Sequence, residues 1–252
     1  MSAPARSGSI LTIILIPAAV VCAFVGGLVL WASACRTPMP EALTALRGAK
    51  EVKVTVQKWG VFEPTTGKPK VGLVVYPASR VDWRAYSPLA LAIAQSGFLV
   101  VVVPMPLNIA ALDPSRAESV LQEFRRVRDW AIAGHGEGGA MAARFAAHHP
   151  GLFRALILWG ARPGAGDNLG GSKISALSIS ADRDGIVTPL VIAGSAWLLP
   201  ATTLWVTIIG GNHSQFGWYG TQSRDGKALI SRSEQQAKVV RATVRFLRSI
   251  GD

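Results

Sequence analysis

The segment Gly134-His135-Gly136-Glu137-Gly138-Gly139 carries the outer glycines of the frame G-x-S-x-G, in which a serine on a sharp strand-to-helix turn attacks an acyl carbon. Gly136 stands where that serine would be, so the usual nucleophile is missing. Two later segments suit the same chemistry. In Ala181-Asp182-Arg183-Asp184-Gly185-Ile186-Val187 a carboxylate could orient a histidine and stabilise its cation. Asp184 is the first choice because Gly-Ile-Val follows it, with Asp182 in reserve. In Gly210-Gly211-Asn212-His213 the histidine occupies a loop after a strand, which suits a general base. The other three histidines are placed differently: His148 and His149 end a helix, and His135 belongs to the turn itself.

Strands and helices alternate around these segments. Val52 to Trp59 reads as a half-exposed strand, whereas Val71 to Tyr76 and Phe98 to Val103 are continuous valine-rich runs, as expected of parallel strands buried on both faces. A helix from about Tyr86 to Gln95 separates these two runs. Asp113 and Pro114 form an N-cap and first-turn pair for a helix reaching about Val127. Trp130 to Ala133 runs into the turn at Gly134, and a small-residue helix follows from Gly139 to His148. Leu156 to Trp159, Ile174 to Ser180 and Thr203 to Ile209 are three further strands. Ser231 and Glu234 form a capping box for a last helix with Val240, Val244 and Leu247 on one face. The pattern is that of an α/β open sheet, mostly parallel with helices on both faces. In such a sheet ligands bind outside the carboxyl ends of the strands, where the three segments lie.

The amino-terminal part differs from the rest. From Ile10 to Cys35 there is no charged residue, and crossing a bilayer takes about 20 apolar residues. One transmembrane helix is expected there, with the lipid bilayer as partner of residues 10–35. Two alternatives stay open: a cleaved signal peptide, whose apolar core is usually shorter, and a lipoprotein site at Ala32-Ser33-Ala34-Cys35. Arg6 lies on one side of the run and Arg36, Arg47 and Lys50 on the other. That balance mildly favours a cytoplasmic domain on a bacterial membrane and leaves the side open. The division expected is an anchor over 1–36, a connector over 37–50 and one α/β domain over 51–252.

The net charge of +11 falls almost wholly after the apolar run and suits anionic headgroups. The cations are scattered without a recognition motif, which argues against nucleic acid. Both cysteines, Cys22 and Cys35, lie in or beside the apolar run, so a disulfide framework, a thiolate metal site and a cysteine nucleophile are excluded from the domain. Gly134, Gly136 and Gly139 formally satisfy G-x-G-x-x-G, but no acidic residue follows between Arg154 and Gly160 to hold a ribose. No phosphate loop and no H-E-x-x-H is present, and neither cofactor nor metal is implied.

YPASRVDWRAYSPLA, VVVPMPLNIA, GHGEGGAMAARFAAHHP and GGNHSQFGWYG, in that order, resemble the α/β-hydrolase superfamily, in particular small, lidless, dienelactone-hydrolase-like bacterial members with a membrane anchor. The resemblance covers about Glu41 to Leu247. It implies Asp184 as acid, His213 as general base, and an oxyanion hole from the backbone N–H of Glu137 and one from the Pro77 to Ser79 loop, with Ala78 the choice. It implies a small ester or acyl ligand. The nucleophile does not carry over to Gly136, and Glu137 replaces an expected apolar residue with a charge that opposes a developing oxyanion.

Several readings of Gly136 follow. The chain is a pseudoenzyme or membrane-held interaction module, a nucleophile-substituted form of an active hydrolase, an enzyme using the Glu137 carboxylate, or one using Ser79 or Ser214. Only about a dozen residues, Arg162 to Lys173, join two strands where many relatives insert a lid, so an open site is expected. Met105, Trp159 and Trp218, with Phe216 and Tyr219, are the expected pocket lining for acyl or aromatic groups.

Overall fold

The structure is a computed structural model describing residues 8–33 and 35–251. Arg6 and Ala34, which bear on the charge balance and the processing site, lie outside the described residues. The chain divides into two compact units, Met1–Ala34 and Cys35–Asp252. The first holds α1 (Gly8–Ser33), whose stretch Ile14–Trp31 is long and apolar enough to cross a membrane, a property that a signal sequence shares.

The second unit begins earlier than the sequence suggests. Arg36 already donates its N–H to Arg80 O at 2.7 Å, and the expected connector contains α2 (Pro40–Ala45), whose Ala42 and Ala45 are buried. Residues 37–50 therefore belong to the globular unit, because these small side chains pack closely against its core.

Eight strands form one sheet in the order β1-β2-β4-β3-β5-β6-β7-β8. They are β1 (Val52–Val56), β2 (Gly60–Pro64), β3 (Val71–Tyr76), β4 (Leu99–Val102), β5 (Asp129–His135), β6 (Ala155–Trp159), β7 (Ser175–Ala181) and β8 (Leu204–Ile208). Pairing is antiparallel on both sides of β2 and parallel from β4 to β8. The sequence pattern ran β1 through to Trp59 and missed β2, a five-residue strand reached by a tight turn.

The central strands are buried along their whole length, and the period-two alternation divides them between two cores. Leu73 and Val75 of β3 face the core covered by α3 (Ser87–Ala94) and α7 (Arg232–Gly251). Val74 and Tyr76 face the core under α4 (Ala117–Glu123) and α5 (Glu137–His148). α6 (Pro189–Ala193) is a short helix before β8.

The start of α4 corrects the sequence reading. Asp113 does not cap it; the buried Tyr76 hydroxyl accepts from Ala117 N–H and donates to Pro114 O, both at 2.8 Å. The helix begins at Ala117 and stops at Glu123, well short of Val127. The serine half of the capping box at α7 forms, with Glu234 N–H donating to Ser231 Oγ at 3.2 Å, while the Glu234 carboxylate turns to Lys238 at 2.9 Å.

Candidate active site

The turn after β5 is built by glycines that have no room for a side chain. A Cβ on Gly138 would lie 2.1 Å from Pro77 O, and one on Gly134 would lie 2.5 Å from Gly138 O, so strand, helix and the loop after β3 meet backbone to backbone. Gly136 differs. It sits at φ +54 and ψ −123, a conformation that strains any residue with a Cβ, yet a Cβ there would lie 3.3 Å from His213 Nε2 and 3.6 Å from Ala78 Cβ. A side chain there would meet the histidine ring directly, which would have to give by a few tenths of an ångström.

His213 is held in place from several directions. Its Nδ1 lies 2.8 Å from Asp184 Oδ2, with both side chains buried. Asp184 Oδ1 accepts from the N–H groups of Ile186 and Val187 at 2.8 and 2.7 Å, so the loop wraps around the carboxylate that faces the histidine. Asp182, the reserve choice, instead accepts from Gly210 N–H at 2.7 Å and fastens the end of the neighbouring strand.

Two supports had no clear signal in the sequence. Asp225 accepts from His213 N–H at 3.1 Å, from Gly185 N–H at 3.2 Å, and from both the N–H and hydroxyl of Ser214. It ties the acid loop to the histidine loop; the Asp225-Gly226 pair signals a turn but not this clamp. Gln235 of α7 pairs with Asn212 through both ends of its amide, at 2.9 and 2.8 Å.

Beneath His213 lies His135, with ring centroids 4.3 Å apart. Its Nδ1 is 2.8 Å from Tyr86 Oη, which also accepts from Ala78 N–H at 3.0 Å. The hydroxyl and Nδ1 share one proton between them, in a direction set by the His135 tautomer. The other ring nitrogen, Nε2, is buried and faces the His213 backbone. This geometry changes the expected oxyanion hole: the Ala78 N–H is engaged by a buried tyrosine. Burial pushes the Tyr86 phenol well above its ordinary value, which keeps it neutral.

Burial, and after it the charge of neighbouring His213, hold the His135 imidazole well below its ordinary value. The unfolded chain takes up that proton below about pH 6.5, and the folded chain does not. The contribution to stability is therefore full above that pH and is lost as the pH falls, by up to about 1.4 kcal/mol per unit, until the folded-state value is reached. Denaturant unfolding between about pH 7 and about pH 5 should show a shallower loss in His135→Gln than in the unaltered chain; equal slopes would contradict the assignment.

The cleft above Gly136 has a volume of about 390 Å³ and is lined by Glu137, Arg162, Pro163, Ile186, Val187 and Val191 among others. Glu137 is half-buried at the first turn of α5, where the helix dipole favours a carboxylate. None of Met105, Trp159 and Trp218 lines this cleft. Met105 is in the core under α4 and α5; Trp159 is wholly buried with its Nε1 donating to Thr243 at 3.3 Å; Trp218 lies beneath the Arg232 guanidinium. Large apolar side chains filled the interior, and shorter aliphatic residues after β7 took the cleft.

Residues 72–237, two thirds of the chain, match the alpha/beta hydrolase family. The chain belongs to that family. No curated protein matches this α/β hydrolase. Among solved structures it is similar to a hydrolase from Thermoplasma acidophilum described as predicted and CIB-like, with 15% identity and a TM-score of 0.56 over 79% of this chain and 98% of that one. It is also similar to the esterase domain of a Rhodothermus marinus protein, with 14% identity and a TM-score of 0.57 over 76% and 92%. At such identities the likeness is one of fold, and the chemistry of this α/β hydrolase must be argued from its own residues.

Proposed function

We propose that this α/β hydrolase descends from serine ester or acyl hydrolases, is held to a membrane through residues 10–35, and has lost covalent serine catalysis. The observation that carries the reading is the buried Asp184–His213 pair facing Gly136, where a Cβ would lie 3.3 Å from His213 Nε2 and no side chain is present. A general base is poised with no hydroxyl to deprotonate. Asp184 is the acid and His213 the base, the Glu137 N–H is the remaining oxyanion donor, and the cleft takes a small ester or acyl ligand without turning it over efficiently.

A fluorophosphonate probe should leave the unaltered chain unlabelled, and a small activated ester should be hydrolysed slowly. A residual acceleration of about 10³ to 10⁴ over water is compatible with this, because binding and a partial oxyanion hole survive the loss of a nucleophile. Strong labelling would overturn the reading, and the modified residue would identify the true nucleophile.

A second reading is favoured by the place of Glu137 in the cleft beside Gly136. There its carboxylate activates water or attacks the acyl carbon itself. On the first reading Glu137→Gln raises the residual ester hydrolysis slightly, because it removes a negative charge beside a developing oxyanion. On the second it abolishes a measurable native activity. Steady-state rates of the two proteins separate these outcomes.

A further inference from the structure

β8 closes the sheet at one edge and, among the described residues, pairs only with β7. Its outer side lies open, and Leu204, Trp205 and Ile209 are 54%, 46% and 67% exposed. Between this strand and α7 runs a groove of about 1250 Å³. Lys238, Arg241, Arg245 and Arg248 of α7 line the same groove. Their spacing of three, four and three residues puts all four on one helix face. Lys238 pairs with Glu234 at 2.9 Å, whereas the three arginines have no acidic partner among the described residues. Cations and large apolar side chains thus share one concave surface on the exposed sheet edge, a place where folded proteins usually avoid apolar residues.

We infer that this groove docks on an anionic phospholipid surface. The inference rests on the reading of residues 10–35 as a membrane anchor, since only Ala34 separates the end of α1 from the first residue of the globular unit along the chain. Three alternatives fit less well. A second copy on the same groove would bring the same four cations to it, so like charges would meet. Nucleic acid would satisfy the arginines and leave Leu204 and Ile209 without a favourable environment. An acidic peptide would meet the cations but carries no general reason for a tryptophan at the rim. A headgroup layer supplies phosphates for the guanidinium groups and an interfacial zone that favours tryptophan and branched aliphatic side chains.

The test uses the full chain in lipid nanodiscs of phosphatidylcholine, with or without phosphatidylglycerol. Amide exchange of residues 204–209 and 241–249 should slow about tenfold when phosphatidylglycerol is present, and high salt should reverse the effect. Replacing Arg241, Arg245 and Arg248 together by glutamine should remove most of the slowing, with an unchanged melting temperature showing that the fold is intact. No slowing in anionic discs overturns the inference. Equal slowing in both lipids with cross-linked dimers assigns the groove to a second copy and also overturns it. Slowing by a short oligonucleotide or a polyglutamate peptide in phosphatidylcholine discs, without slowing by phosphatidylglycerol, overturns it in favour of that partner. Failure of the anchor reading is seen separately, as release of the chain from membranes by alkaline carbonate. Sedimentation of the released chain with anionic vesicles then still reports on the groove.

Discussion

Gly136→Ser should convert the unaltered chain into a protein that a fluorophosphonate labels at residue 136 and that hydrolyses a small activated ester at least about 10³-fold faster. The size follows from two opposing effects. A complete triad with its nucleophile restored is worth about 10⁶ in kcat. Loss of one oxyanion donor costs about 10² to 10³, and here the Ala78 N–H is already bonded to Tyr86 while the Glu137 carboxylate flanks the other donor. About 10³ to 10⁴ remains. The new Cβ would meet His213 Nε2 at 3.3 Å, so neighbours need shift by only a few tenths of an ångström, and the hydroxyl then lies within reach of the base. The gain has a structural cost. At φ +54 a serine is strained by about 1 to 3 kcal/mol, which denaturant unfolding should register as a lower midpoint. A variant that loses stability yet stays unlabelled would mean that the site has drifted beyond rescue by one hydroxyl. The combination Gly136→Ser with Glu137→Leu should exceed the single variant in rate.

Asp184→Ala should be among the most damaging single changes to both stability and rescued activity. The carboxylate accepts from His213, Ile186 and Val187, all in one buried pocket, so its removal strands three donors. Each buried donor left unsatisfied costs about 1 to 3 kcal/mol. Asp182→Ala removes the acceptor for one N–H, that of Gly210, and should cost no more than about 1.5 kcal/mol. In the Gly136→Ser background, Asp184→Asn, which keeps the shape, should lower the ester kcat by about 10⁴ because His213 loses the tautomer that presents a basic Nε2. Urea unfolding and single-turnover hydrolysis of the two aspartate series check both parts. Equal effects at positions 182 and 184 would refute the assignment of Asp184.

The different reach of local and long-range information explains which features the sequence made legible. Valine-rich runs mark β3 and β4, because a strand covered on both faces has no polar side to display. The last helix is equally plain, since Ser231, Glu234 and a stripe of apolar residues act within a few turns of one another. β2 was lost because five residues behind a tight turn carry little pattern of their own and owe their strand state to β1 and β4. α4 was misplaced because its cap is a tyrosine hydroxyl forty residues away in sequence.

At the site the same division holds. Residue types alone determined that the glycine-rich turn carries glycine at 136, that an aspartate loop and a histidine loop follow it in chain order, and that a long uncharged segment precedes the domain. These facts need only the covalent chain and the short-range chemistry of turns. Tertiary structure decided that Asp184 and not Asp182 meets the histidine, that Asp225 clamps both loops, and that Tyr86 takes the Ala78 N–H. It also sent Met105 and Trp159 into the core and set arginines of α7 beside an open strand edge. Each of those outcomes depends on which surfaces meet when the sheet closes around its two cores, and packing between residues far apart in sequence leaves no periodic trace along the chain.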